Sequence, residues 1–351
     1  MGDRKRAMAL AKEGETLRLM ATQNQDVSVT MLKDFLYRAL DCFDDATRFV
    51  EKKQIDLNNE ILGAESTPPV LVPNYPWALA HWGATASYLG ATMDKRNSYY
   101  YRIAEEKFQA ACALKPRYAW AWANRGQNLC WWGIRLSEND RTNEAISKIE
   151  NEAKSHLDKA ISYDEKYTWA FVRRAIVHRM LGLLKGEDSA VNHPHFDDAI
   201  NDLENAIKLN YQYASAYGYL AVLHRQKARA YDAAAIRDLQ EDLSNKNKNN
   251  ESEALDYTKL AKEEWKKVYN SVEQATKIDP RVFLPPKMLK IGYMYLPAQG
   301  GTTPTFLEES ALSEDNKYTR YTAAALKAHI GGDLAAKEDI DRVLAEFAGE
   351  S

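Results

Sequence analysis

The sequence predicts an all-α repeat protein, and three observations carry that expectation. A small–large–small signature recurs at steps of four and three residues, as Ala39/Phe43/Ala46, Ala104/Phe108/Ala111, Ala153/Leu157/Ala160 and Ala199/Leu203/Ala206. Those steps place all three side chains on one face of a helix. After three of these signatures a small residue follows at a constant interval of 15 residues: Ala111 to Gly126, Ala160 to Ala175 and Ala206 to Ala221. No run alternates β-branched or aromatic residues with polar ones at the period of a half-buried strand.

One copy is fuller than the rest: Ala104, Phe108, Ala111 and Pro116 are followed by Trp122 and Gly126. In this pattern the chain resembles the tetratricopeptide repeat (TPR). The resemblance covers most of the chain and is best over Trp77–Ala221. It implies an all-α, right-handed superhelical solenoid of antiparallel helix pairs. Small residues would let paired helices approach, larger apolar ones would fill the space between pairs, and proline would end the second helix. The first-helix small residue falls at Gly14, Gly83, Gly126, Ala175 and Ala221.

The interval within each pair exceeds the family spacing. It is 21 residues from Gly83 to Ala104, 27 from Gly126 to Ala153 and 24 from Ala175 to Ala199. These long intra-repeat insertions enter between the two helices of a pair, so they extend one edge of the stack. Part of the excess lengthens helices. Ile146, Ile149, Ala153, Leu157 and Ala160 trace one apolar face, which predicts a second helix of roughly five turns.

In chain order, residues 1–62 form an irregular TPR-like pair around Gly14 and Ala39/Phe43/Ala46. Residues 63–74 (GAESTPPVLVPN, from Gly63) are an extended linker, because Pro68 and Pro69 disfavour helix at and before them. Residues 75–239 hold the core array. Residues 240–255 are a flexible polar loop, since Gln240–Ser252 is polar and lacks periodicity. Residues 256–351 carry degenerate helices. Val268/Val272/Ala275 followed by Pro280 is a weaker copy of the signature, Leu296–Asp315 is an irregular crossing, and Lys317–Phe347 makes a last pair about Gly331 and Gly332.

Apolar residues at 45% and aromatics at 11% suffice to bury a core, which excludes global disorder. A net charge of −3 offers no basic excess to neutralise phosphates, which predicts no nucleic-acid partner. Cys42, Cys112 and Cys130 lie in helical patterns at no metal-binding spacing. They are expected to be reduced thiols of a cytoplasmic protein. No apolar run approaches a membrane span, and no secretory leader is recognisable after Met1. There is no G-x-x-x-x-G-K-[ST], G-x-S-x-G or H-E-x-x-H, so neither an enzyme nor a cofactor is expected. His193-Pro194-His195 has the composition of a metal pair but no third ligand nearby. It is expected to cap the loop ahead of a helix at Asp197 and Asp198.

The resemblance also implies a concave groove lined by the first helix of each pair, at its second, sixth, ninth and thirteenth positions. The second position is Trp77, Trp120 and Trp169, each inside a Tyr-x-Trp-Ala phrase beginning at Tyr75, Tyr118 and Tyr167. The sixth is His81, Asn124, Arg173 and Tyr219; Gln127 is a ninth, and Tyr88 and Trp131 are thirteenths. An aromatic groove of this kind would grip an apolar or helical peptide of another protein. A fully covered Trp would contribute ~2 kcal/mol. The same spacing also allows these indoles to pack against the preceding second helix. A carboxylate clamp, used by some family members, would need cationic and amide side chains where Ala80, Ala84 and Trp169 stand; only Asn124 and Arg173 match. The expected function is a protein–protein interaction adaptor or scaffold. Alternatives are a sensor or regulatory module of a larger signalling protein with a protease or NTPase effector, and an enzyme subunit built on α-hairpin repeats.

Overall fold

A computed structural model describes residues 2–23, 28–61, 75–92, 98–188, 190–245 and 251–279. Among these residues all regular structure is helical. The expected linker at 63–74 lies outside the described residues, as do the crossing at 296–315 and the pair at 317–347. The helices fall into two compact units.

The first unit holds α1 (Gly2–Gln23), α2 (Val29–Ile61), α3 (Tyr75–Thr92), α4 (Tyr99–Leu114) and α5 (Ala119–Ser137). A composite helix follows, made of α6 (Thr142–Ser147), a π-helical turn (Lys148–Ala153) and α7 (Lys154–Tyr163). Pairing is antiparallel, as the facing residues show. Gly83 faces Ala104 and Phe108 while Gly90 faces Tyr101; Gly126 faces Ala153 and Leu157 while Gly133 faces Ala145 and Ile149. Gly14 faces Ala39 and Phe43, and Ala21 packs with Leu32 and Leu36.

The small residue of each first helix sits against backbone. A Cβ on Gly14 or Gly83 would come within 3.1 Å of the Ala39 or Ala104 carbonyl oxygen, and one on Gly126 within 2.8 Å of that of Ala153. The signature residues form the floor of this contact: Ala39, Phe43, Ala104, Phe108, Ala111, Ala153, Leu157 and Ala160 are all fully buried. Helix α5 is tied to both helices of the preceding pair. Asn128 Nδ2 donates to the Tyr101 carbonyl at 3.0 Å, and Arg135 Nη2 donates to the Ala91 carbonyl at 2.9 Å, at the end of α3.

The long Gly126–Ala153 interval is mostly helix. Only Glu138–Arg141 separates α5 from α6. The buried face of the composite helix is Ala145, Ile149, Ala153 and Leu157, at steps of four, with Ala145 in place of the expected Ile146. A step of four overshoots a regular α-helical turn by about 40°. Three in succession would rotate the face away from α5, and the wider π turn at Lys148–Ala153 takes up that drift.

The second unit holds α8 (Thr168–Leu184), α9 (Pro194–Leu209), α10 (Ala214–Asn245) and α11 (Glu251–Ile278). Arg174 pairs with Asp202 and Gly182 faces Phe196, so α8 and α9 are antiparallel. Ala199, Leu203 and Ala206 are fully buried. The weak copy is used as the signature predicts: Val268, Val272 and Ala275 cluster with Ala221 of α10. Within the expected loop at 240–255 both ends are helical, and 246–250 lie outside the described residues. Helix α10 runs on to Asn245 and α11 starts at Glu251. A polar run without an apolar period does not by itself exclude helix.

Candidate functional site

Helices α1, α3 and α5 lie side by side, which brings the inward positions of the first unit together. Trp77 and Trp120 enclose the His81 imidazole. The Trp77 and His81 centroids are 4.4 Å apart at 42°, and His81 and Trp120 are stacked at 4.4 Å and 15°. Tyr118 extends the stack on Trp120 at 6.1 Å. About two turns further along α3, Tyr88 meets Trp131 edge to face at 5.4 Å. The indoles are half-buried. Trp77 rests on the cluster of Ala11, Leu17, Ala39 and Phe43, and Trp120 on that of Ala80, Ala84, Ala104 and Phe108.

Four of the expected surface positions are closed off. His81, Asn124, Gln127 and Tyr219 are between 4% and 9% exposed. Asn124 Nδ2 donates to its own helix at the Trp120 carbonyl, 2.8 Å away, and Gln127 Oε1 is buried without a hydrogen-bond partner. Trp77, Tyr88, Trp120, Trp131, Trp169 and Arg173 stay half-buried. In the second unit Trp169 stacks on Tyr167 at 5.9 Å, and the Arg173 guanidinium lies over Trp169 at 4.6 Å. The Tyr-x-Trp spacing thus yields a stacked ring pair at both Tyr118/Trp120 and Tyr167/Trp169.

Sequence reasoning missed Arg18. It stands on the buried stripe of α1, with Ala7, Ala11, Gly14 and Ala21, at alternating steps of four and three. A cation on that stripe was the signal available. Arg18 is 8% exposed, and its Nη2 lies 3.4 Å from His81 Nδ1. A guanidinium only donates, so Nδ1 accepts and the imidazole proton sits on Nε2, 3.8 Å from Glu15 Oε1. Burial, and then the Arg18 charge, push the His81 pKa down to about 3, so the ring is neutral near pH 7. Arg18 Nε is buried with no hydrogen-bond partner, and burial lowers the guanidinium pKa.

His193 and His195 stand at the start of α9. Both Glu187 oxygens lie 3.1 Å from the His195 backbone N–H, Oε2 accepts from that of Phe196 at 3.0 Å, and Oε1 contacts His195 Nδ1 at 2.6 Å. The carboxylate therefore caps the helix N-terminus. His193 stacks on Phe196 at 5.9 Å and meets Tyr231 edge-on at 5.1 Å. Among the described residues no group of three or more His, Cys, Asp or Glu could hold a metal ion. Cys112 and Cys130 are buried and Cys42 is half-buried; burial pushes the Cys112 thiol up to about 12. No helix among the described residues is long and apolar enough to cross a membrane.

Paired antiparallel helices with a small residue against backbone, repeated in register, define a TPR-like helix-repeat protein. No family model matches the chain, and no curated protein matches it. Among solved structures, the chain is similar to the MamA protein at 18% identity and a TM-score of 0.35, over 76% of this chain and 94% of that one. It is also similar to a thermophilic TPR protein of Thermus thermophilus, at 14% identity and a TM-score of 0.40, over 80% and 96%. A third neighbour is the human IFIT1 dimer with m7Gppp-AAAA, at 12% identity and a TM-score of 0.23, over 96% and 81%. The expectation of no nucleic-acid partner is corrected by this last neighbour, whose structure contains such a ligand. Net charge averages over the whole surface and does not exclude a local cationic site.

Proposed function

We propose that the protein is an interaction scaffold whose first unit docks an apolar or helical peptide segment of another protein. The docking face is formed by Trp77, Tyr88, Trp120 and Trp131. Arg173 and Trp169 offer a smaller face of the same kind on the second unit. One observation carries this reading: Trp77 and Trp120 are braced against the His81 ring at 4.4 Å on each side while remaining half-buried. Rings held rigid by a neutral spacer lose little conformational freedom when a partner covers them, which is how aromatic anchors gain affinity. His81, Asn124 and Gln127 act beneath that face by positioning it.

The test is the retention of immobilised random apolar peptides by the full chain, alongside Trp120→Ala and Trp131→Ala. Each variant is expected to lose at least tenfold in affinity, with helical content by circular dichroism unchanged. Undiminished retention by both variants overturns the assignment.

A further inference from the structure

Where α4 ends, α5 begins and α7 comes to its close, three exposed cations stand over half-buried aromatic rings of the first unit. Lys115 Nζ lies 4.6 Å from the centre of the Tyr118 ring, the Arg117 guanidinium 6.0 Å from that of Tyr163, and Lys159 Nζ 4.7 Å from that of Trp122. Trp122 Nε1 donates to the Pro116 carbonyl at 2.7 Å, which fixes the indole to the Lys115–Tyr118 turn. Lys159 and Tyr163 are one helical turn apart on α7 and share the face that meets this turn. Turn and helix therefore present one surface.

The charge on that surface is left uncancelled. Elsewhere on the unit Arg38 is matched by Asp34, Arg48 by Asp44 and Arg141 by Glu144. Among the described residues no carboxylate pairs with Lys115, Arg117 or Lys159. Arg125, the neighbouring cation, is committed to Glu105, its Nε 2.8 Å from Oε1. Asp158 faces Lys154 at 3.9 Å, and Asp164 and Glu165 follow beyond Tyr163. His156, its ring 5.2 Å from that of Trp122, reports the local field. Burial, and then Arg125 and Lys159, push its pKa down to about 3.

We propose that this surface binds a single strand of nucleic acid, with phosphates at Lys115 and Lys159 and an unpaired base stacked on the Arg117 guanidinium. Tyr163 supports one side of that flat group and solvent meets the other, so a base reaches it only when it is out of a duplex. An acidic peptide would use the charges and leave the platform empty. A lipid surface calls for apolar side chains that insert. The large apolar residues exposed on the first unit are Met20, Met31, Tyr37 and Tyr99, and none belongs to this turn or to α7. The surface is separate from the peptide-docking face and does not depend on that reading.

The experiment follows fluorescence anisotropy of a labelled oligo(dT) of roughly ten nucleotides, the scale of a single-strand site, with the full chain. Three phosphate contacts predict that log K falls with log salt at a slope of about −2. Lys115→Gln and Lys159→Gln are each expected to weaken binding by about threefold or more and to reduce the slope by about 0.7. Arg117→Lys keeps the charge without the flat platform; it is expected to lose about threefold at an unchanged slope. Trp131→Ala, which alters the docking face, is expected to bind oligo(dT) as the wild type does. Circular dichroism checks that each variant keeps its helices.

No binding of oligo(dT) at low salt overturns the proposal. So does equal binding of a duplex of the same length, of polyglutamate, or of phosphatidylserine vesicles. Full affinity in Arg117→Lys overturns it as well, since charge alone would then suffice. Loss of oligo(dT) binding in Trp131→Ala would place the strand on the docking face and overturn it too. None of these results except the last bears on peptide docking.

Discussion

The imidazole of His81 lies nearly parallel to the indole of Trp120, 4.4 Å away, in a buried place where desolvation and then the Arg18 charge keep the ring uncharged. Its folded pKa of about 3 lies below the ordinary value of 6.5. The unfolded chain therefore binds the proton first as pH falls. The contribution is fully present above pH ~6.5 and is lost progressively toward pH 3. At pH 5 the loss amounts to about 2 kcal/mol for this ring. His156, held to about 3 by burial and then by Arg125 and Lys159, acts in the same direction. Urea midpoints measured from pH 7 to pH 5 should fall, and His81→Phe should flatten the slope. An unchanged slope would refute the assignment.

Gly126→Ala should destabilise the first unit by about 2 kcal/mol, because the new methyl would meet Leu157 Cγ at 2.7 Å and the Ala153 carbonyl at 2.8 Å. The gain in helix propensity, about 1 kcal/mol, opposes it without reversing it. Gly186→Ala is a contrasting case: its φ is +79° with nothing within 4 Å of the added atom, so any loss there is backbone strain alone. Thermal unfolding of the two variants separates crowding from strain, and a neutral Gly126→Ala would mean that the helices can part.

Glu264→Gln should cost the α10–α11 pair about 2 kcal/mol at pH 7. Burial alone would raise the Glu264 pKa, but hydrogen bonds from His224 at 2.6 Å and Lys267 at 2.7 Å outweigh it and hold it at about 2. This stabilisation is present above the ordinary value of 4.5 and is lost as pH falls through 2. The variant and the wild type should therefore converge in stability when compared in strong acid.

Glu187→Ala should loosen the start of α9 by about 1–2 kcal/mol, the usual worth of a helix cap. The reporter is amide hydrogen exchange at His195 and Phe196, whose N–H groups donate to this carboxylate. Glu187→Gln keeps an acceptor and should recover part of the protection. Equal exchange in all three proteins would remove the capping role.

Features dictated by close approach were legible in the sequence. Only a residue without a Cβ fits where Gly126 meets the Ala153 carbonyl, so the register of small residues predicted which helices pair. Phase was less legible. Ile146 and Ala145 both stand at helical steps from Ile149, and the π turn selects Ala145. The candidate site was legible by position but not by depth. The first helices pack flank to flank, so an inward-pointing residue on one becomes a wall for the next, and Asn124 and Gln127 close up. Arg18 escaped notice because a charge within an apolar stripe reads as an interruption of the stripe.

The π turn at Lys148–Ala153 is a means by which a hairpin of this kind can change length. An additional amino acid swallowed as a bulge leaves both halves of a rod facing the same neighbour. Growth is then possible one residue at a time rather than in whole turns, and hairpins of unequal size can coexist in a single stack without losing their fit.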